Sequence, residues 1–573
     1  MLKQENNRLI FSYHILFAII ICFILTFAVK TNFFLNYFPN IDSAFYIKWF
    51  GDLNLSSHLL PIGDKNFIQN LMGDTDSFLH QLLRRYYNNS GEVYTIVPTI
   101  INYIFTLVLG PGFISFNVGS IIFSSLLPVL ISFYFCNKYR LRITENIFLI
   151  TIINLLFIFS YSFFNWSPLG IHNYSIFFLI VGIFFIDSQY KKKKFFNFKL
   201  IIFTIIIPCF SHKFNVPLIF LSLFFVIVLR NKNSNNLKKE IFFLIISFIF
   251  IILPLMIGTN FNPNNINFLN SFFSGEEYII SPKQNLLSFI FNYEYSVIKY
   301  SVPKLIQNYY YNLGIFGIIL LGFSLYKTEN IIFKFFLVSN LLIFLFLPVA
   351  TFSIRIFNYQ LIIVFIIFID SLCMFLENKK NVINKIILIS FVIFTIISAN
   401  SLNPKKFLNK YESDIFNVYY KDNKIVKELF VSLIVNEKID VSNIIFGDYL
   451  TKDLFYSYLY SREYPRELDS FPATNSLWIN RNNKSYLESL RIDLNKLRNP
   501  FFLYFYSLEK NNLLNRDKKM TDTLVKLCEL RSIVFDSCGK HKIIDIKLNN
   551  NYKNQISYNG HAYTFRLIKI NND

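Results

Sequence analysis

Long apolar runs alternate with short polar connections up to about residue 400, where the pattern changes. A membrane helix needs about 20 mostly apolar residues, and many of these runs approach that length. The eleven runs that we predict to cross a membrane are 9–30, 116–136, 147–163, 174–187, 200–210, 216–229, 241–258, 311–326, 331–348, 356–375 and 383–400. Because the first run is too long for a signal-peptide core, it is interpreted as a retained anchor.

One further apolar run, 93–110, is predicted to lie at the outer face as an interfacial or re-entrant helix. The positions of the basic connections lead to this prediction, because cytoplasmic loops carry an excess of Lys and Arg. If 93–110 does not cross, the N-terminus and the basic connections at 138–142, 191–194, 230–239, 327–334 and 379–380 share the cytoplasmic side. The external parts are then the first loop (31–115), the turns near residues 172, 213 and 355, the loop 259–310, and everything after residue 400.

The segment 401–573 has dense charges and short β-type runs, at 443–446, 501–506, 532–535, 542–546 and 563–570. Helical stretches, 424–435 and 521–530, lie among them. We therefore predict a transmembrane domain over 1–400, of about 11 helices, and a small soluble α/β domain over 401–573 outside the inner membrane. The predicted fold class is a polytopic α-helical membrane protein with this extracytoplasmic domain.

Composition agrees with a membrane location and removes other classes of protein. Of 573 residues, 53% are hydrophobic and 16% charged, which is far from the composition of a soluble or disordered chain. The net charge of +20 does not predict nucleic-acid binding, because many basic residues lie in the short connections between apolar runs. The cysteines show no metal-binding spacing, and Cys528 with Cys538 either pair in an oxidising compartment or stay reduced.

The first external loop contains the candidate catalytic acid. Asp42, Tyr46 and Trp49 have the spacing i, i+4 and i+7, which would align them on one helix face. An acid beside lipid and aromatic rings can have a raised pKa suited to a general base. The alternative role for Asp42 is an N-cap, because it opens a helical stretch after Pro39.

Further along this loop, Asp74 and Asp76 lie two positions apart in GDTDSF. Such a pair can hold a divalent ion together with a phosphate group, or it can form an ordinary Asp-rich turn. A divalent metal is the one cofactor that the sequence suggests. Arg84 and Arg85 follow, and they either contact a lipid phosphate or anchor the interfacial helix at headgroup level.

Three cations lie at the external ends of apolar segments: Lys213 beside His212, Lys304 at the end of the loop 259–310, and Arg355 at the start of the tenth predicted span. Cations at the hydrocarbon boundary suit a phosphate that is attached to a polyprenyl chain. The alternative is that each cation is a structural anchor that extends to the interface. His172 is interpreted as a loop histidine with satisfied hydrogen bonds rather than as a catalyst.

Several signatures are absent from the sequence. It has no Gly-x-Ser-x-Gly nucleophile motif, no Gly-Lys-Ser/Thr phosphate loop and no glycine-rich dinucleotide turn. ATP-driven transport is therefore not predicted. Asp187 and Asp370 lie near the cytoplasmic ends of their spans, which gives little support to a proton relay.

This layout resembles the GT-C glycosyltransferases, which use polyprenyl-phosphate-linked sugars at the outer face of a membrane. The resemblance covers most of the chain and rests on an anchor helix, a loop acid (Asp42, then Tyr46), an interfacial helix with Pro98, a helix ending in basic residues (Tyr134, Asn137, Lys138, Arg140), Lys213 between paired spans, Arg355 and an external C-terminal domain. Many members carry a His-Pro-Pro stretch where this chain has YTIVPTI, with one Pro and no His.

The resemblance implies a membrane glycosyltransferase that transfers a sugar from a polyprenyl-phosphate donor to a glycan, lipid or protein acceptor. It further implies that Asp42 is the base, and that Lys213 and Arg355 hold the donor phosphate. The implied partners are the lipid-linked donor, the acceptor and membrane lipid. Two alternatives stay open: an oligosaccharide-repeat polymerase, which usually lacks a soluble tail of this size, and a lipid or glycan transporter, which would favour polar residues at mid-membrane.

Overall fold

The computed structural model describes the apolar helices and a set of C-terminal strands. The described residues are 13, 15–28, 31, 96–109, 113–139, 141–159, 170–190, 198–212, 214–231, 237–258, 295–346, 354–377, 390, 393, 444–446, 501–507, 541–545, 556–558 and 561–570. The chain divides into two compact units. Unit 1 comprises residues 1–34, 77–102 and 118–404, and unit 2 comprises 35–76, 103–117 and 405–573.

The helices overlap the predicted apolar runs wherever the structure describes them. They are α1 (Ile15–Ala28), α2 (Ile96–Leu109), α3 (Phe113–Lys138), α4 (Ile143–Phe159), α5 (Gly170–Tyr190), α6 (Phe198–Cys209), α7 (Asn215–Arg230), α8 (Leu237–Gly258), α9 (Tyr295–Lys327), α10 (Ile331–Phe346) and α11 (Ile354–Glu377). Among the described helices, three are long and apolar enough to cross a membrane: Asn117–Lys138, His172–Tyr190 and Phe357–Glu377. The last predicted span, 383–400, lies outside the described stretches apart from isolated residues.

Apolar side chains on the outside of these helices fit lipid as the surrounding solvent. Along α8, Phe242 is 60% exposed, Ile245 51% and Phe250 55%. A soluble monomer rarely leaves a continuous apolar surface of this kind in water. These exposed apolar side chains are expected of a helical membrane protein. The described part of the chain is also mainly helical.

Helix α11 occupies the centre of unit 1. It packs against α4, α9 and α10, and all its residues from Phe357 to Cys373 are buried. A helix that is apolar on all sides belongs in such a central position. Around it, α7 packs against α10 and α8, and α5 packs against α6.

Helix α6 contains a π-helical segment, Ile201–Ile206, which lies against Gly182 of α5. A Cβ atom added at Gly182 would approach the Phe203 carbonyl oxygen and the Pro208 ring at 3.3 Å. The absence of a side chain at Gly182 therefore permits the close packing of α5 against the π-helical segment.

Helix α9 differs from the prediction. The predicted span began at residue 311, whereas the helix begins at Tyr295 and includes Lys304, which had been placed in an external loop. At Gly314 the backbone leaves the helical conformation, with φ 65° and ψ 179°. This region of φ and ψ is open to glycine and almost closed to other residues. Gly314 therefore divides α9 into two helical parts.

In unit 2, the described residues form a five-stranded sheet with the order β1-β2-β5-β3, and β4 pairs with β5. The strands are β1 (Ile444–Phe446), β2 (Phe501–Ser507), β3 (His541–Asp545), β4 (Ile556–Tyr558) and β5 (His561–Ile570). The β1–β2 pair is parallel, and the pairs that involve β5 are antiparallel. Four of the five β-type runs in the sequence are strands here. The fifth, 532–535, and both predicted helices lie outside the described residues.

Candidate functional site

Several helix termini meet at one end of unit 1. The chain leaves α6 through a turn in which the Ser211 N–H donates to the Pro208 carbonyl at 3.1 Å. The Asn215 N–H then donates to the His212 carbonyl at 3.0 Å, where α7 begins. The first turn of α2 joins the same end, because the Val97 N–H donates to the Phe210 carbonyl at 3.1 Å.

A group of three rings, His172, His212 and Tyr359, brings α5 and α11 to this end of unit 1. The ring centroids of His172 and His212 are 4.7 Å apart, and the ring of Tyr359 stacks on His212 at 5.9 Å. The Tyr359 hydroxyl lies 3.2 Å from Nδ1 of His172. Tyr359 is fully buried and both histidines are partly exposed. We call these three residues the histidine cluster.

Buried polar groups next to the histidine cluster connect the helices that carry it. Asn215 donates from Nδ2 to Ser175 Oγ at 2.9 Å and to the Pro208 carbonyl at 2.9 Å. These bonds connect α5, α6 and α7, and they satisfy the buried Nδ2 group of Asn215, as a buried polar group requires.

Two further hydrogen bonds attach the start of α5 to its neighbours. The Tyr174 hydroxyl donates to Asn102 Oδ1 of α2 at 2.6 Å. Asn173 Nδ2 donates to Ser120 Oγ of α3 at 2.7 Å. All four of these side chains are at most 9% exposed. The helix that carries His172 is therefore fixed in orientation by partners on two other helices.

The opposite helix ends of unit 1 meet around Lys138. Its ammonium group lies 3.1 Å from Asp370 of α11 and 3.3 Å from Asp187 of α5. The side chain of Asp370 is 1% exposed and that of Asp187 is 17% exposed. We call this group of one cation and two carboxylates the lysine cluster.

Neutral donors complete the lysine cluster. Asp370 also accepts hydrogen bonds from the Tyr139 hydroxyl at 2.8 Å and from the Thr328 hydroxyl. Asp187 accepts one from Asn330 Nδ2 at 2.9 Å. The Tyr134 hydroxyl donates a second bond to Asp187. Both carboxylates are thus well hydrogen-bonded, which is typical of a structural ion pair.

Burial and the nearby Asp370 carboxylate raise the pKa of the Tyr139 hydroxyl well above its ordinary value of 10.0. Tyr139 follows the last residue of α3 and lies beyond that candidate span. It therefore stays protonated at neutral pH and acts as a donor to Asp370.

The lysine cluster and the histidine cluster lie at opposite ends of α5 and α11. The sequence predicted that the ends carrying Lys138, Asp187 and Lys327 share the cytoplasmic side. In unit 1 these ends do lie together, because the lysine cluster joins the ends of α3, α5 and α9. Which side of a membrane they face stays a prediction.

Of the site residues predicted from the sequence, the side chain of His212 is among the described ones. The backbones of Lys304 and Arg355 belong to α9 and α11, and their side chains lie outside the description. Seven other predicted site residues lie outside the described residues: Asp42, Tyr46, Asp74, Asp76, Arg84, Arg85 and Lys213. Their roles stay predictions.

Sequence analysis missed Tyr359, Ser175 and Asn215 as site residues, and it placed His172 in a loop. His172 lies in α5, near its start. One signal was present in the sequence: Tyr359 follows Arg355 by four residues, the spacing that puts two side chains on one helix face. No pattern along the chain indicated that His172 and Tyr359 would meet, since 187 residues separate them.

Within the parts of the chain that the structure describes, no group of three or more His, Cys, Asp or Glu side chains could hold a metal ion. Asp74 and Asp76, the predicted metal ligands, lie outside these parts. Comparison with known proteins found no matching family model, no matching curated protein and no matching solved structure.

Proposed function

We propose that the protein is a membrane glycosyltransferase of the GT-C type. In this proposal the chain has eleven spans and an external α/β domain over 401–573 in the inner membrane of a cell. It transfers a sugar from a polyprenyl-phosphate donor to a glycan, lipid or protein acceptor at the outer face. Asp42 is the general base, and cations at the external helix ends bind the donor.

One observation carries the proposal: the histidine cluster brings together two residues, His212 and Tyr359, that are close in sequence to Lys213 and Arg355, two of the predicted phosphate-binding cations. His212 immediately precedes Lys213, and its ring stacks on Tyr359. Arg355 lies one helical turn before Tyr359 in α11, which is a rise of about 6 Å. His212, the sequence neighbour of Lys213, and Tyr359, one turn after Arg355, thus belong to one end of unit 1, and this supports the proposal of a shared phosphate site.

The chemistry needs no further activation, because the donor already carries a good leaving group. The acceptor hydroxyl or amide gives its proton to the Asp42 carboxylate while the acceptor atom forms a bond to the anomeric carbon. The bond from that carbon to the phosphate oxygen breaks, and polyprenyl phosphate leaves with the electron pair. Lys213 and Arg355 stabilise the negative charge that develops on this phosphate. The lipid tail supplies binding energy remote from the reacting carbon.

The Asp42 carboxylate gives the sharpest test of the proposal. Asp42→Asn removes the base and keeps the size of the side chain, so sugar transfer in membranes should fall by at least about 100-fold. Asp52→Asn, a change of the same kind in the same loop, is the control and should retain transfer. Unchanged transfer by the Asp42→Asn protein would refute the assigned role of this carboxylate.

A transporter is the second candidate, and buried polar groups in α10 favour it. Ser339 and Asn340 are fully buried, and no hydrogen-bond partner for their side chains is found among the described residues. Polar groups inside a membrane bundle often line a substrate path. If the protein is a transporter, Asn340→Leu should reduce lipid translocation. If it is a glycosyltransferase, this variant should retain sugar transfer.

A further inference from the structure

Gly314 divides α9 into two parts, and the second part, 315–327, is fixed near its end. The rings of Phe323 and Phe375 stack there, with their centroids 5.4 Å apart. Thr328, which directly follows the helix, donates a hydrogen bond from its hydroxyl to the lysine cluster. A packed ring pair and a buried hydrogen bond therefore hold this part of α9 against the end of α11.

The first part of α9, 295–313, is attached by a face that carries amide side chains. Leu305, Asn308 and Asn312 have the spacing i, i+3 and i+7 of one helix face, and all three are buried. Asn312 Nδ2 donates to the Asn308 carbonyl at 2.8 Å, a bond that lies within this part of the helix. Amide groups lose less free energy than leucine side chains when water reaches them. This face therefore separates from unit 1 at a lower cost than an apolar face would.

On the α11 side of the contact, Gln360 carries a buried amide without a hydrogen bond. The ring of Tyr309 packs edge-on against Phe357 at 5.2 Å, and Gln360 lies one turn after Phe357. Gln360 is fully buried, and no hydrogen-bond partner is found among the described residues for its amide or for the Tyr309 hydroxyl. These two groups lie close to each other without the geometry of a hydrogen bond. Their unpaired burial costs free energy that is recovered when water reaches them.

We infer that the first part of α9 is a gate that opens the histidine-cluster end of unit 1. In the closed form, which the structure shows, Gly314 has φ 65° and Tyr309 lies on Phe357, two residues before Tyr359 of the histidine cluster. In the open form Gly314 takes helical φ and ψ, α9 becomes one continuous helix, and Gln360 becomes accessible to water and to ligands. Glycine adopts both conformations at little cost, which suits a hinge. The gate would serve a transporter as well as a glycosyltransferase, so the inference does not depend on the proposed function.

A small rotation at the hinge is enough to open the contact. Tyr309 lies five residues before Gly314, which is about 8 Å along the helix. A rotation of about 20°, the lower limit of a sharp helix kink, therefore moves Tyr309 by roughly 3 Å and separates its ring from Phe357. Because the second part of α9 is held at the lysine cluster, the motion is confined to the other end of unit 1.

Thiol labelling of the Gln360→Cys protein tests whether the gate opens. The full chain in liposomes is treated with a charged, water-soluble methanethiosulfonate reagent, and each cysteine is followed by mass spectrometry of its own peptide. Native Cys373 is the control, because it is fully buried in the same helix and far from the gate. The cysteine at position 360 should react at least about tenfold faster than Cys373. An unreactive cysteine at position 360, or equal rates at the two positions, would overturn the inference.

Gly314→Ala gives a sharper test, because the gate predicts a gain of reactivity. Alanine disfavours φ 65° and accepts the helical conformation, so it shifts the equilibrium towards the open form. Labelling of Gln360→Cys should therefore rise by about 5- to 100-fold, with no change at Cys373. Gly322→Ala, in the second part of α9, is the control and should leave both rates unchanged. A similar rise at both cysteines would indicate general unfolding and refute the gate, as would an unchanged rate at position 360.

The distance between the two parts of α9 provides a second readout that needs no change in α11. Ile306 and Tyr326 are 61% and 80% exposed, so both positions can carry spin labels after substitution by Cys, with the two C-terminal cysteines changed to Ser. In a continuous helix, these positions are separated by a rise of about 30 Å. Gly314→Ala should move the measured distance distribution towards this value, and Gly322→Ala should not. Identical distributions in the two alanine variants would contradict the open form.

Discussion

Removing the positive charge of Lys138 should destabilise unit 1 more than any change of an exposed lysine. Its ammonium group lies 3.1 Å from Asp370 and 3.3 Å from Asp187, so both carboxylates depend on one cation. Lys138→Met keeps much of the apolar stem and leaves two negative charges facing each other. Breaking a buried ion pair in this way typically costs about 3–5 kcal/mol.

The geometry supports a magnitude of this order. The Asp370 and Asp187 oxygens contact the same atom, Lys138 Nζ, at 3.1 and 3.3 Å, so they can be no further apart than the sum of these two distances. At such a separation, two unit charges repel by roughly 3 kcal/mol at an effective dielectric constant of about 20. Tyr139, Thr328 and Asn330 still donate to the carboxylates and reduce part of this penalty.

The assay is reversible unfolding of the purified protein in detergent, followed by helical circular dichroism. Lys138→Met should lower the free energy of unfolding by about 3–5 kcal/mol, and Lys199→Met, at an exposed lysine, should change it by less than about 0.5 kcal/mol. Adding Asp370→Asn to Lys138→Met should restore part of the loss, because one of the two unpaired charges disappears. A Lys138→Met protein as stable as the Lys199→Met control would refute the assigned role of the lysine cluster.

Three other changes test separate features of unit 1. Gly314→Ala should lower the free energy of unfolding by roughly 1–3 kcal/mol, because φ is 65° at this position. The control, Gly322→Ala, has open space around its Cβ position and should be neutral or slightly stabilising in the same unfolding assay. Gly182→Leu should destabilise by about 1–3 kcal/mol, because even a Cβ there meets α6 at 3.3 Å, and a wild-type melting temperature would contradict this packing. The raised pKa of Tyr139 should make the free energy of unfolding fall as the pH rises beyond the ordinary tyrosine value of 10.0, because the folded state holds this proton more tightly than the unfolded state. Tyr139→Phe should weaken that pH dependence.

The spans were predictable because their signal is local. A run of about 20 apolar residues needs no knowledge of the rest of the chain, so α3, α5 and α11 fall close to their predicted positions. The C-terminal strands were found for the same reason, from short runs of β-branched and aromatic residues. Strand β4 was missed because its three residues follow a polar stretch, NNNYKNQ, and include no apolar run, although Asn559 and Gly560, which separate it from β5, form a typical hairpin sequence.

The rest depends on contacts between residues far apart in the chain. Lys138 and Asp370 are separated by 232 positions, and no periodicity along the sequence relates them. The break at Gly314 was hidden because this glycine lies inside the predicted span 311–326, and a single glycine is compatible with a continuous membrane helix. The π-helical segment of α6 was hidden too, since it is fitted to a gap left by Gly182 on another helix.

The lipid product released from a polyprenyl-phosphate sugar is the most direct measure of the central claim. Purified protein in liposomes, given this donor and an acceptor glycan, should release polyprenyl phosphate in equal amount to the sugar transferred, and Asp42→Asn should abolish both. Movement of the intact donor across the bilayer, with no lipid phosphate released, would contradict the account and establish a transporter instead.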